Sequence, residues 1–356
     1  MNKRALVIGA SGIAGGTLAR HLLDRGWEVC GVSRGNNAAV EGIQSIAADL
    51  TSADALSQAL DGQRPTHVFF TVWSRQATER DNIRVNGAMV SNVFDALGAG
   101  MSGVEHVALV TGLKHYLGPF EAYATGAVPD TPFREAQGRQ AVENFYYEQE
   151  DRVLAGAKRH GFGWSVHRPH TIIGFAVGNA MNMGTTLAVY ASLCRHTGMP
   201  FVFPGSAQQW HGLTDMTDAT LLARQLEWAS TNAAGRNQDF NIVNGDVFRW
   251  KWMWTRIAEY FGIEAVPFDG TVRPLDTRMT SAAPAWREIA ENFDLVEPDI
   301  AKLVSWWHTD ADLGRPMEVI TDMSKSRKAG FLDYEPTDDA FFRLFDQLKD
   351  ARLIPA

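Results

Sequence analysis

Lys114 and Tyr146 stand in two short runs, Thr111-Gly112-Leu113-Lys114-His115-Tyr116 and Asn144-Phe145-Tyr146-Tyr147. Both lie downstream of a glycine cluster, Gly9-Ala10-Ser11-Gly12-Ile13-Ala14-Gly15. An ammonium, a phenol and a turn that admits phosphate are the parts needed to hold a dinucleotide and to hydrogen-bond a developing oxyanion. That set points to hydride-transfer chemistry. It also departs from the common Tyr-x-x-x-Lys reductase pattern, because position 150, four after Tyr146, is glutamate.

Glycines at 9, 12 and 15 divide the work of such a turn. One permits the tight bend, one lets backbone amides approach a pyrophosphate, and one allows close packing of helix on strand. Ser11, Ile13 and Ala14 complete the turn and the first helical residues, where free N–H groups and the helix dipole favour phosphate. The turn is credited because it lies on a strand–turn–helix–strand path: an apolar run over 4–10, Leu18 and Leu22 four apart, Gly26 as a stop, then Trp27 to Ser33.

Cofactor choice is written at the end of the second strand, which reads Gly31-Val32-Ser33-Arg34-Gly35 with no carboxylate. An NAD site usually places an acid there for the ribose hydroxyls. Arg34 instead offers a planar guanidinium suited to a 2′-phosphate, with Ser33 as a further donor. NADPH is therefore the expected cofactor. Asp49 is placed either to meet the adenine amino group or to lead into a helix.

Lys114 follows a strand ending at Val110-Thr111-Gly112, the edge of an open parallel sheet where ligands sit. From there it can bond a nicotinamide ribose and place positive charge near a reacting oxygen. Tyr146 opens a helix and can project into the same space. Taken singly, each residue type has an ordinary structural use, as a surface lysine or a packing tyrosine. Their joint arrival beside a dinucleotide turn is what favours catalysis.

These runs resemble the signatures of the progesterone 5β-reductase/iridoid synthase-like family, an atypical branch of the extended short-chain dehydrogenases/reductases. The likeness extends through Leu117-Gly118-Pro119-Phe120-Glu121, Trp164-Ser165-Val166-His167-Arg168-Pro169, Phe240 to Phe248 and Lys328-Ala329-Gly330-Phe331. It implies an oxidoreductase that uses NADPH to reduce the C=C of an activated enone or enal, with Lys114 and Tyr146 catalytic and Tyr147 the competing phenol. It places Gly12, Ile13, Ala14, Arg34, Asp49, Leu50, Trp73, Ile172 and Met181 among the cofactor contacts. Thr111 and Pro169, at strand ends, join that expected set. Phe120 and Phe341 are implied to border a small hydrophobic enone or enal. Plant members often carry two arginines after the second strand, where this chain has Ser33-Arg34.

Further strands are expected near 43–48, 66–72 and 105–111, with Val85, Met89, Val90, Val93, Phe94 and Leu97 on one helix face between them. A longer helix should run over 141–160, with Lys158 and Arg159 in its last turn and Gly161 as its stop. Trp164 to Arg168 reads as the next strand. Alternation of this kind predicts an α/β fold: a Rossmann-type doubly wound parallel sheet. A smaller, irregular C-terminal region should cover the substrate, with helices near 184–196, 217–231 and 250–261. The division expected is 1–176 for the dinucleotide domain and 177–356 for the substrate region, with some elements returning to the sheet.

Composition sets the outer bounds. Lys and Arg number 33 against 41 Asp and Glu, a formal charge of −8, which argues against nucleic acid as a partner. Cys30 and Cys194 read as packed thiols rather than a disulfide framework. No signal peptide or membrane-length apolar run is read, so a cytoplasmic protein is expected. A homodimer is the expected assembly. His167 and His170 lack metal-site geometry and companion ligands, so no metal is expected. Trp250, Trp252, Trp254, Trp306 and Trp307 read as packing residues. Two other functions compete: a carbonyl reductase or secondary-alcohol dehydrogenase, and a regulator that binds NADPH without turnover.

Overall fold

The apolar runs become strands of one parallel sheet. The computed structural model describes residues 3–35, 40–119, 129–178 and 181–356. The chain forms β1 (Arg4–Ile8), α1 (Ile13–Asp24), β2 (Glu28–Ser33), β3 (Gln44–Ala47), α2 (Ala53–Leu60), β4 (His67–Phe70) and α3 (Glu79–Leu97). Next come β5 (His106–Val110), α4 (Lys114–Leu117), α5 (Phe145–His160) and β6 (Gly163–Pro169). The two-residue strands β7 (Ile172–Ile173), β8 (Phe201–Val202) and β9 (Thr217–Asp218) follow, then β10 (Gln238–Ile242) and β11 (Ala265–Val266).

Seven strands pair in the order β10-β6-β5-β4-β1-β2-β3, every neighbouring pair parallel. β4 and β5 are buried throughout, as strands covered by helices on both faces must be. The order of connection reverses between β1 and β4, and a doubly wound sheet takes ligands beyond the carboxyl ends at such a point.

Two compact units divide the chain. The first contains residues through His170 together with Ala219–Ile242 and Thr321–Asp333. The second contains Thr171–Asp218, Val243–Ile320 and Tyr334–Ala356. The expected boundary at 176 is therefore moved to 170, because β7 leaves the sheet and pairs with β9. The returning elements are specific: the helix Ala219–Thr231 packs on α1, and β10 pairs with β6. In the second unit the helix Met183–Thr197 is buried along nearly its whole length, and Trp254 stacks on Phe201 at 4.1 Å. Trp250 and Trp254 are core residues as expected, whereas Trp252 and Trp307 are exposed. Trp252 sits midway between the other two on one helix and so faces away from their side.

Helix ends follow the sequence chemistry. The Thr78 hydroxyl accepts from the Asp81 N–H at 3.1 Å to open α3. At α5, Asn144 Oδ1 accepts from the Tyr146 N–H at 3.0 Å, Lys158, Arg159 and His160 occupy the last turn, and Gly161 ends the helix at φ 81°. That cap starts α5 at Phe145 rather than near 141. Among the described residues no helix is long and apolar enough to cross a membrane.

Among the buried histidines of the sheet unit, His106 and His167 share one serine. His106 Nε2 and His167 Nε2 each lie 2.9 Å from Ser165 Oγ, and His167 Nδ1 lies 2.7 Å from Gln225 Oε1. Burial lowers His106 to about 3 and His167 to about 4. In the unfolded chain both take up a proton near pH 6.5. Below that pH the unfolded state binds more protons than the folded one, so stability falls as pH drops from 6.5 toward 4 and is level above 6.5. The slope amounts to roughly 1 kcal/mol per pH unit for each histidine. Melting temperature should decline between pH 6.5 and 5, and the decline should be shallower in His106→Gln. An identical slope in the variant would remove His106 as a cause.

Candidate active site

The glycine turn is built by close contact. Gly9 has φ +95°, and a Cβ there would lie 2.9 Å from Val72 Cβ and 3.0 Å from Thr71 Oγ1. A Cβ on Gly15 would lie 2.2 Å from the Gly9 oxygen. Both glycines therefore fill places where no side chain fits, at the junction of β1 and β4. Gly12 is the N-cap of α1 without a side-chain cap, and no acidic residue occupies the first turn that Ile13 and Ala14 open. This amide-rich, uncharged end fits the pyrophosphate of a dinucleotide. Ser11 is an exposed residue within the turn.

Beyond β2, Arg34 is exposed and the Ser33 hydroxyl donates to the Gly35 carbonyl at 2.8 Å. Asp49 Oδ1 accepts from the Thr51 N–H at 2.9 Å and from the Thr51 hydroxyl at 2.8 Å. Those bonds, with a smaller contribution from Arg34, hold the Asp49 carboxyl below the usual range. Asp49 thus shapes the entry to α2 and remains anionic near Arg34. Leu50 is buried, and its carbonyl accepts from Asn92 Nδ2 at 2.8 Å.

Lys114 and Tyr146 meet around Phe145. The Lys114 ammonium lies 4.9 Å from the Trp73 ring centre and 5.2 Å from that of Phe145. Trp73 stacks on Phe145 at 5.2 Å, and Phe145 is 4.3 Å from the Tyr146 ring. The Tyr146 hydroxyl is pressed against the carboxyl ends of β5 and β6: a Cβ on Gly112 would lie 3.3 Å from it and 3.3 Å from the Pro169 oxygen. Thr111 supports that edge, its N–H donating to the His167 carbonyl at 2.8 Å. Two backbone donors at the start of α5 are already engaged, Tyr146 N–H by Asn144 and Phe145 N–H by Glu79 Oε1 at 2.8 Å.

Tyr147 has a different task. Its hydroxyl donates to the His115 carbonyl at 2.6 Å and accepts from the Gln140 N–H at 3.0 Å. Burial, foremost, pushes its phenol above the ordinary value. The two adjacent phenols are thereby separated: the second fastens α4 to α5, while the first faces the sheet edge.

Glu150, one turn beyond Tyr146, is buried with Oε1 3.4 Å from His115 Nδ1 and 3.3 Å from Arg168 Nη2. Its Oε2 lies 3.0 Å from Arg139 Nη2. Burial alone would raise this carboxyl, but His115, Arg168 and Arg139 outweigh it and keep it low. The position that holds lysine in the common pattern is here an anion with its cations, and the site's ammonium comes from α4.

Asn144, Glu79 and Gly112 act at the site without a role given to them from the sequence, where Glu150 marks only the departure from the common reductase spacing. Asn144 could have been found as an N-cap signal. Glu79 acts across 66 positions and leaves no local trace. Ile172 and Met181 belong to the second unit, in β7 and as an exposed residue respectively. Phe341 also belongs there and is fully buried beside Trp250 and Phe345, a packing position in this structure. Phe120 lies outside the described residues. Among the described residues no group of three or more His, Cys, Asp or Glu could hold a metal ion.

Sheet order and the glycine turn define an α/β protein with a Rossmann-type doubly wound parallel sheet. A family described as the PRISE-like Rossmann-fold domain matches residues 40–355, and the chain belongs to that family. It is 36% identical to 3-oxo-Delta(4,5)-steroid 5-beta-reductase from Arabidopsis thaliana, over 99% of this chain and 93% of that protein. It is 35% identical to an (S)-8-oxocitronellyl enol synthase from Camptotheca acuminata, over the same shares. Among solved structures, the UDP-glucose 4-epimerase of Thermus thermophilus in complex with NAD aligns with a TM-score of 0.66 at 15% identity, covering 98% of this chain and 99% of that one. Epimerase Mth375 from Methanothermobacter thermautotrophicus aligns at 0.68 and 16% identity, over 98% and 94%. Those structures establish the fold alone.

The separation of the two phenols is open to measurement. Tyr147→Phe should lower stability by about 2 kcal/mol, since it removes both hydrogen bonds of the hydroxyl. Thermal denaturation reads it, and an unchanged midpoint would deny Tyr147 its fastening role.

Proposed function

We propose that this protein reduces the carbon–carbon double bond of a small hydrophobic enone or enal, delivering hydride to the β-carbon and giving the saturated carbonyl compound. The observation that carries this reading is the Tyr146 hydroxyl at the β5–β6 edge, with the Lys114 ammonium over the adjoining Phe145 ring and glutamate at position 150. The names of the two relatives, a steroid 5-beta-reductase and an enol synthase, support it.

NADPH, when bound, supplies the hydride. The turn at Gly9–Gly15 and the amide end of α1 would hold its pyrophosphate, and Arg34 its 2′-phosphate. As the β-carbon gains the electron pair of the new C–H bond, the π electrons move onto the carbonyl oxygen and make an enolate. Tyr146 donates a hydrogen bond to that oxygen without having to lose its proton. A preorganised donor of this type lowers a barrier by about 3–4 kcal/mol. Lys114 adds positive charge on the same side and orients the nicotinamide ribose. The α-carbon takes its proton from water, so no second buried acid is required. A carbonyl reductase must instead deliver a proton to the oxygen that accumulates charge, the work done by Tyr-x-x-x-Lys on one helix face. Glu150, already held by His115, Arg139 and Arg168, does not serve that purpose.

Product identification from cyclohexenone or progesterone with NADPH tests the reading. A saturated ketone is expected. An allylic alcohol would establish the carbonyl reductase, and NADPH binding without turnover across a broad enone panel would leave a regulator. Tyr146→Phe should lower turnover roughly a hundredfold or more while NADPH affinity stays near that of the parent. Near-normal turnover would remove Tyr146 from its role.

Arg34→Ala should weaken NADPH far more than NADH, measured as the two dissociation constants. Equal losses would make Arg34 structural.

A further inference from the structure

Two side chains of the second motif reach the first: Tyr147 at the His115 carbonyl, and Asn144 at Lys114 itself. Asn144 is buried, and its amide is used at both ends: Oδ1 accepts from the Tyr146 N–H at 3.0 Å, and Nδ2 donates to the Lys114 carbonyl at 2.7 Å. The first bond is an ordinary helix cap. The second is not needed by α5; it reaches across to the first residue of α4. α4 is a single turn of four residues, so its own hydrogen bonds fix its position poorly. The backbone of Lys114 is therefore located by a group on the residue that also sets the start of the Tyr146 helix.

We propose that Asn144 is a positioning residue that sets the separation of Lys114 and Tyr146, and so their joint action on cofactor and substrate. This rests on the enone-reductase reading for its kinetic readout. Its physical basis is the two-sided amide. Serine or aspartate would cap α5 as well as asparagine does, but aspartate has no donor for Lys114, and serine's single oxygen, one bond closer to the main chain, gives up the second arm. The cap and the clamp can therefore be separated by substitution.

The test is a double-mutant cycle of Asn144→Ser with Lys114→Ala, read by product-verified enone turnover, NADPH dissociation constant and melting temperature. Asn144→Ser alone should cut kcat about tenfold or more and weaken NADPH about threefold, with the melting temperature within a few degrees of the parent. In the Lys114→Ala background the same exchange should cost nothing further in either kcat or NADPH affinity. Losses that multiply across the cycle, or an unchanged kcat, would overturn the proposal. So would a fall in melting temperature alone. Asn144→Asp provides the second variant if serine fails to fold; collapse of both would make Asn144 structural and end the idea. If the parent makes no saturated product, the enone reading fails by itself, and the cycle in NADPH affinity still decides whether the clamp exists.

Discussion

The site depends on a contact that leaves little room for a side chain. Where β5 ends, Gly112 lets the phenol of Tyr146 lie against the main chain between β5 and β6. A methyl group there would push on both the hydroxyl and the Pro169 carbonyl. The other placements follow from this approach. α5 must begin at Phe145, α4 must turn immediately after Leu113, and Trp73 from the end of β4 must bring its ring up to Phe145. The sheet supplies the floor, since parallel strands deliver their carboxyl ends to one edge. The arrangement is a meeting of three strand ends and two helix starts rather than a cavity lined by one element.

Charge is distributed around that meeting point in a way that divides structure from chemistry. The buried carboxylate of Glu150 gathers His115, Arg139 and Arg168, and Asp239 takes the other side of Arg168 at 2.6 Å. These groups satisfy one another. The ammonium of Lys114 lies over the faces of Trp73 and Phe145, which attract a cation.

Local chemistry in the sequence reveals most of the fold. The strands expected at 43–48, 66–72 and 105–111 appear at 44–47, 67–70 and 106–110, and the helix at 250–261 appears at those bounds. Each is marked by short-range signals: an apolar run, a cap, a glycine stop. What the sequence hides is held by distant partners. The bond from Glu79 to Phe145 and the gathering of Arg168 by Glu150 join residues far apart in the chain. Periodicity reports on which face is buried and not on which charge will meet it. That some later elements return to the sheet is expected from the sequence, but which ones do is not, because β7 and β10 differ in destination more than in composition.

The place of Glu150 bears on how such reductases can be interconverted. Putting a lysine there would restore the familiar helical spacing to Tyr146, yet it would bury a third positive group beside Arg139 and Arg168 and take away the anion that His115 faces. Uncompensated charge of that kind is strongly disfavoured in an interior. The two arrangements are therefore separated by a concerted exchange of several residues, a gap that stepwise drift would not readily cross.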